Sequence, residues 1–111
     1  MRSTEPISRP DDYADVTSAI IHEVNAALPA VEFDFRMEFI DRAATRIDLI
    51  VFEAGQPTRT ECPVTFESQR AIVNRRRELA ERGHPMWKSM TISLRSGQPP
   101  IVKFANSPSA A

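Results

Sequence analysis

Val31-Glu32-Phe33-Asp34-Phe35-Arg36-Met37-Glu38-Phe39 alternates apolar and charged side chains without a break over residues 31–39. Successive side chains of an extended chain point to opposite faces, so the stretch predicts a β-strand with one buried and one charged face. Val31, Phe33, Phe35, Met37 and Phe39 form the buried face, and Glu32, Asp34, Arg36 and Glu38 form the other, which is mostly acidic.

N-terminal to this strand, Tyr13, Val16, Ile20, Val24, Ala27 and Leu28 recur at helical spacing. This predicts a first helix over 11–28, with Asp11, Asp12 and Asp15 at the positive end of its dipole and Pro29 ending it. Val16, Ile20 and Val24 are expected to pack on the phenylalanine face of the strand. Asp41-Arg42-Ala43-Ala44 leads into a second strand over 45–53, where Ile47, Leu49 and Val51 compete with Ile50 and Phe52 for the inner face. Ala54-Gly55-Gln56-Pro57 reads as the next turn. A short third strand follows over 61–65, and its Pro63 suits a sheet edge because proline cannot donate a ladder hydrogen bond.

Residues 66–82 read as a second helix, stopped by Gly83 and Pro85. Residues 86–95 then read as a strand with Met86, Met90, Ile92 and Leu94 on one side and Trp87, Ser89, Thr91 and Ser93 on the other. Ser96-Gly97-Gln98-Pro99-Pro100 turns into a last strand over 101–104. The expected fold class is α+β: an antiparallel sheet of about five strands with two helices, in the order α-β-β-β-α-β-β. Residues 11–104 form its single domain, between flexible arms at 1–10 and 105–111 that hold too little apolar surface to order themselves.

The chain has 111 residues, 41% hydrophobic and 26% charged, enough for an ordinary core without disulfides or metals. One cysteine, Cys62, excludes an internal disulfide framework. No apolar window approaches the ~20 residues of a membrane helix, and the N-terminus lacks an apolar signal segment, so the expected location is cytoplasmic. The net charge of −1 conceals an asymmetry: residues 1–58 hold eleven acids and five bases, and residues 59–111 four acids and nine bases. Opposite surfaces of opposite sign are therefore expected.

Arg75-Arg76-Arg77 invites a nucleic-acid reading, but successive helical residues rotate by about 100°, so the three side chains fan around the axis instead of forming a patch. No aromatic platform accompanies them, and no direct nucleic-acid contact is expected. Arg76 falls on the inward stripe and should snorkel or find a carboxylate. His22, Cys62 and His84 lie in unrelated elements, so they suggest neither a nucleophile–base pair nor a metal set. Gly55, Gly83 and Gly97 all fall at turns or a helix end, leaving none for a phosphate loop. Trp87 reads as a core aromatic, with an interface anchor as the alternative. No catalytic activity, cofactor or metal is expected.

The layout, with the charged second helix followed by Met86-Trp87-Lys88-Ser89-Met90-Thr91-Ile92-Ser93-Leu94 and a closing hairpin over 97–104, resembles the YezG-like immunity (antitoxin) proteins across residues 11–104. The resemblance implies a cytosolic protein that binds and neutralises a bacterial toxin domain, often a nuclease. The charged strand face gives that expectation a physical form. Nuclease domains that grip phosphate backbones tend to be basic, and an acidic surface is their electrostatic complement. Glu32, Asp34 and Glu38, with Asp41 and Asp48, are the expected toxin-binding residues. The alternative is a secretion chaperone or adaptor that binds an unfolded effector segment through an apolar groove.

Overall fold

The computed structural model describes residues 9–40 and 45–105, and in it the alternating stretch is the central strand of the molecule. A 3₁₀ turn, Pro10–Tyr13, leads directly into helix α1, Ala14–Ala27. Strand β1 is Glu32–Phe39, β2 is Thr45–Glu53 and β3 is Gln56–Thr60. Helix α2 is Phe66–Glu81, followed by β4, Ser89–Leu94, and β5, Ile101–Ala105. The five strands pair antiparallel in the order β3-β2-β1-β4-β5. The fold is thus α+β with the expected element order.

The pleat of β1 sorts the sheet into two faces. Phe33, Phe35 and Met37 are fully buried and Phe39 nearly so, and their cross-strand neighbours Leu49, Val51, Met90 and Ile92 are buried with them. Tyr13, Val16, Ile20 and Val24 from α1 and its leading turn, with Ile72 and Leu79 from α2, close the same core. Both helices therefore cover one face. The competition in β2 resolves in favour of the odd positions, because pairing Phe35 with Leu49 and Phe33 with Val51 puts those side chains over the helices.

Two strand assignments need correction. The third strand is Gln56–Thr60, not 61–65, and the turn is only two residues long. Ala54 (φ 52°) and Gly55 (φ 80°) both lie in the left-handed region, as the type I′ turn that matches the twist of a hairpin requires. Gln56 and Pro57 are thereby drawn into the ladder, with Pro57 opposite Phe52 on an edge strand, where its missing N–H costs nothing. Residues 61–65 are an irregular connection with Val64 tucked into the core.

The second correction concerns β4, which begins at Ser89 rather than at residue 86. Strict alternation would place Trp87 beside Ser89 on the outward side. Instead the irregular stretch before the strand turns Trp87 inward, where it is fully buried, and leaves Met86 exposed. Its indole Nε1–H donates to the Tyr13 hydroxyl at 2.9 Å, and its ring meets Phe39 edge-on at 5.4 Å and Phe104 at 5.4 Å. Arg76 finishes this cluster. Its guanidinium lies 3.8 Å over the Phe39 ring and 5.3 Å from that of Trp87, and its Nε–H donates to the Trp87 carbonyl at 2.8 Å. It snorkels across aromatic faces.

Of the expected flexible arms, residues 1–8 and 106–111 lie outside the described residues. Pro10 opens the 3₁₀ turn, and Ala105 closes β5 by accepting the Lys88 N–H at 2.7 Å. Among the described residues, no helix is long and apolar enough to cross a membrane.

Two acidic side chains fasten the helices. The Asp15 carboxylate takes a two-pronged contact from Arg75, at 3.0 and 2.8 Å, and the same guanidinium donates to the Asp12 carbonyl at 2.7 Å. Glu23 reaches from α1 to the start of α2. It accepts the Thr65 N–H at 2.7 Å and the Ser68 hydroxyl, while Thr65 itself caps the helix by accepting the Ser68 N–H at 3.2 Å. The positive end of α2 is thus occupied by the protein's own carboxylate.

Both carboxyls sit below their ordinary pKa, Asp15 through the hydrogen bond from Arg75 and Glu23 through those from Ser68 and Thr65. A depressed folded-state pKa means stability that is complete above the unfolded values of about 3.9 and 4.3 and is lost as pH falls through the folded ones. Urea midpoints measured from about pH 6 down to about pH 3 should therefore fall. Glu23→Gln should show a shallower fall than the parent, and an identical slope would show that Glu23 does not couple the helices.

Candidate interaction surface

With both helices on one side, the other side of the sheet has no helix over it among the described residues. The register fixes what it presents. Glu32, Asp34, Arg36 and Glu38 of β1 stand beside Phe52, Ile50, Asp48 and Arg46 of β2, and the last three of the β1 residues stand beside Ser93, Thr91 and Ser89 of β4. Arg59 and Pro57 of β3 and Ile101 and Lys103 of β5 complete the face at its two edges.

The expected acidic residues are brought together here, except Asp41, which lies outside the described residues. They are not free, however, and the expectation of an open acidic patch is corrected. Glu38 is only 6% exposed and lies 3.9 Å from Arg46. Asp48 lies 3.8 Å from Arg59, and Asp34 lies 3.1 Å from Arg95. Glu32 accepts the Ser96 N–H at 2.8 Å. Arg95 is the most engaged of the bases, stacking 4.4 Å over Phe52 while its Nη1 donates to the Phe33 carbonyl at 3.1 Å.

The physical reason lies in the pairing of the strands. Charges on adjacent strands interact, and Arg46 of β2, Arg59 of β3 and Arg95, just past the end of β4, come against Glu38, Asp48 and Asp34 respectively. The pairs made by the largely exposed guanidinium groups of Arg46 and Arg59, at 3.9 and 3.8 Å, contribute little to stability. Their consequence is electrostatic: the face is a checkerboard of both signs around the apolar side chains of Ile50, Phe52 and Ile101, the last of these 45% exposed.

The other conspicuous residues are dispersed. Arg75, Arg76 and Arg77 do fan around α2: to Asp15, to the Trp87 cluster, and to the Asn74 side chain at 3.0 Å, respectively. Cys62 sits half-buried before α2, and burial pushes its thiol pKa up, which works against a thiolate. His84 follows the far end of that sixteen-residue helix, which is about 24 Å long at 1.5 Å per residue. His22 is exposed on α1. Neither a protein-family model nor a curated protein matches the chain.

A second surface feature was not legible in the strand pattern. Phe66, the first residue of α2, is 72% exposed and lines a recess with Met37, Phe39, Thr45, Gln69, Arg70 and Val73. Its sequence signal is faint: Phe66, Arg70, Val73 and Arg77 follow one helical stripe beside, not on, the buried line of Ile72 and Leu79.

Proposed function

We propose that this chain is a stoichiometric binding protein of the immunity type, a cytosolic inhibitor that holds a toxin domain, a nuclease among the foremost candidates, against the open face of its sheet. The observation that carries the reading is that face: five strands wide, without a helix over it among the described residues, with Ile50 and Phe52 side by side along β2 among ion pairs and Ile101 at the β5 edge. An apolar centre ringed by polar groups is the usual anatomy of a protein interface. Inhibition by occlusion needs only that anatomy and no reaction of the inhibitor's own.

The checkerboard changes the expected electrostatics of the partner. A uniformly basic toxin surface would have to displace Arg46 and Arg59, both largely exposed, before reaching Glu38 and Asp48. A partner whose charges alternate in the complementary order can exchange pairs at little cost. Specificity then comes from register more than from net charge.

Co-expression with toxin domains encoded beside the gene tests this. Growth should be rescued by the parent chain, and Ile50→Ala/Phe52→Ala should weaken toxin affinity by roughly 30-fold or more, the ~2 kcal/mol typical of a hot spot. Glu32→Ala/Asp34→Ala/Glu38→Ala should flatten the salt dependence of association. Full rescue and unchanged affinity with both variants, each folded, would move the interface elsewhere.

A further inference from the structure

A second, independent docking site is carried by the recess at the start of α2, and it goes beyond the open face. We propose that this recess receives an apolar anchor side chain from an acidic segment of a partner protein.

The shape and lining come first. Met37 and Phe39 belong to the buried face of β1 and form the floor here together with Val73, so the recess between the start of β2 and α2 is backed by the edge of the core. The recess holds about 250 Å³, below the roughly 300 Å³ at which small-molecule sites begin. It suits a side chain better than a metabolite. Phe66 stands at its rim with most of its ring in water, and large exposed aromatics beside an apolar hollow are characteristic interface anchors.

Charge then selects the partner. Arg46, Arg59, Arg75 and Arg95 each have a carboxylate within 4 Å. Arg70 and Arg77, like Arg36, Arg82, Lys88 and Lys103, have none among the described residues, but Arg70 is the base that lines the recess, 5.8 Å over the Phe66 ring, and Arg77 reaches only Asn74. Even Glu67, one turn from Arg70, forms no ion pair with it. The dipole of α2 draws no outside anion, because Glu23 already holds its first turn. The guanidinium of Arg70 in the wall of the recess, with that of Arg77 two turns further along the same stripe of the helix, therefore calls for a carboxylate beside the apolar residue.

The test uses the full ¹⁵N-labelled chain and two synthetic peptides, each with a central leucine-phenylalanine pair, one flanked by aspartate and glutamate and the other by lysine. The acidic peptide should shift the amides of Phe39, Thr45, Phe66, Gln69, Arg70 and Val73 and leave those of Ile50, Phe52 and Ile101 in place. Arg70→Glu should reduce its affinity at least tenfold, and Phe66→Ala should do the same with an unchanged melting midpoint. Equal binding of the lysine peptide, shifts centred on the open sheet face, or no saturable binding would each overturn the proposal. So would a parent chain that sediments as a dimer closed over Phe66, since the occupant would then be a second copy. None of these outcomes touches the Ile50 and Phe52 variants, so the two surfaces fail or stand separately.

Discussion

Phe35→Ala is expected to lower the unfolding free energy by about 3–5 kcal/mol. Phe35 has no solvent exposure, lies at the middle of the central strand, and is flanked by Leu49 on one side and Ile92 on the other. Ile20, Val24 and Ile72 of the helices belong to the same buried cluster. Removing the ring leaves a cavity bounded by three strands and two helices. The sheet cannot collapse into it without breaking ladders on both sides of β1. Domains of this size are stable by only about 5–15 kcal/mol, so the loss is a large fraction of the total. Urea denaturation should show a lower midpoint with an unchanged slope. Phe66→Ala, made on a ring that is mostly in water, serves as the control and should move the midpoint little. An unmoved midpoint for Phe35→Ala would mean that the buried face of β1 has been assigned wrongly.

The parts of the fold that sequence could specify are those set by local periodicity. Residues 31–39 alternate so regularly that only one face can be apolar, and the helical stripes of α1 and α2 agree with it. Where assignment failed, the cause was a single residue with an unusual backbone or a contact from far along the chain. Ala54 adopts a positive φ that alanine rarely takes, so the hairpin turn carries only half its usual signature, in Gly55, and β3 was displaced by several residues. Trp87 abandons strand parity because a distant Tyr13 hydroxyl, Phe39, Phe104 and Arg76 make a better environment than the outward face beside Ser89.

The candidate surface was half legible for a related reason. Parity correctly placed Glu32, Asp34 and Glu38 away from the core, and register adds Asp48 to the same face. What parity does not contain is the identity of the neighbours. Arg59 and Arg95 approach from strands and turns far along the chain, and they turn an apparent acidic patch into a neutral checkerboard. Part of the half-chain charge asymmetry is spent on such internal pairs: Asp15 with Arg75, Asp34 with Arg95 and Asp48 with Arg59 each join an acid of the first half to a base of the second. Sequence charge thus specifies docking between halves here at least as much as it specifies partners. Among the described residues, Arg70 and Arg77 are members of the basic half that this pairing does not consume.

Trp87→Ala should be as damaging as the loss of Phe35, at about 3–5 kcal/mol, and the contribution of its polar handle can be isolated. The fully buried indole carries three separable contributions: apolar burial, ring contacts with Phe39, Phe104 and Arg76, and one hydrogen bond to Tyr13. Trp87→Phe keeps much of the first two and removes the third. It leaves the Tyr13 hydroxyl, which is 1% exposed as a residue, without its indole donor, for an added cost of about 1–3 kcal/mol. Tyr13→Phe leaves the indole N–H without its acceptor, at a similar cost. The double variant Trp87→Phe/Tyr13→Phe removes both polar groups together, and its destabilisation should be smaller than the sum of the singles by about 1–2 kcal/mol. Strict additivity in the cycle would mean that the 2.9 Å contact contributes no coupling, and that Trp87 holds Tyr13, Phe39 and Phe104 together by its ring alone.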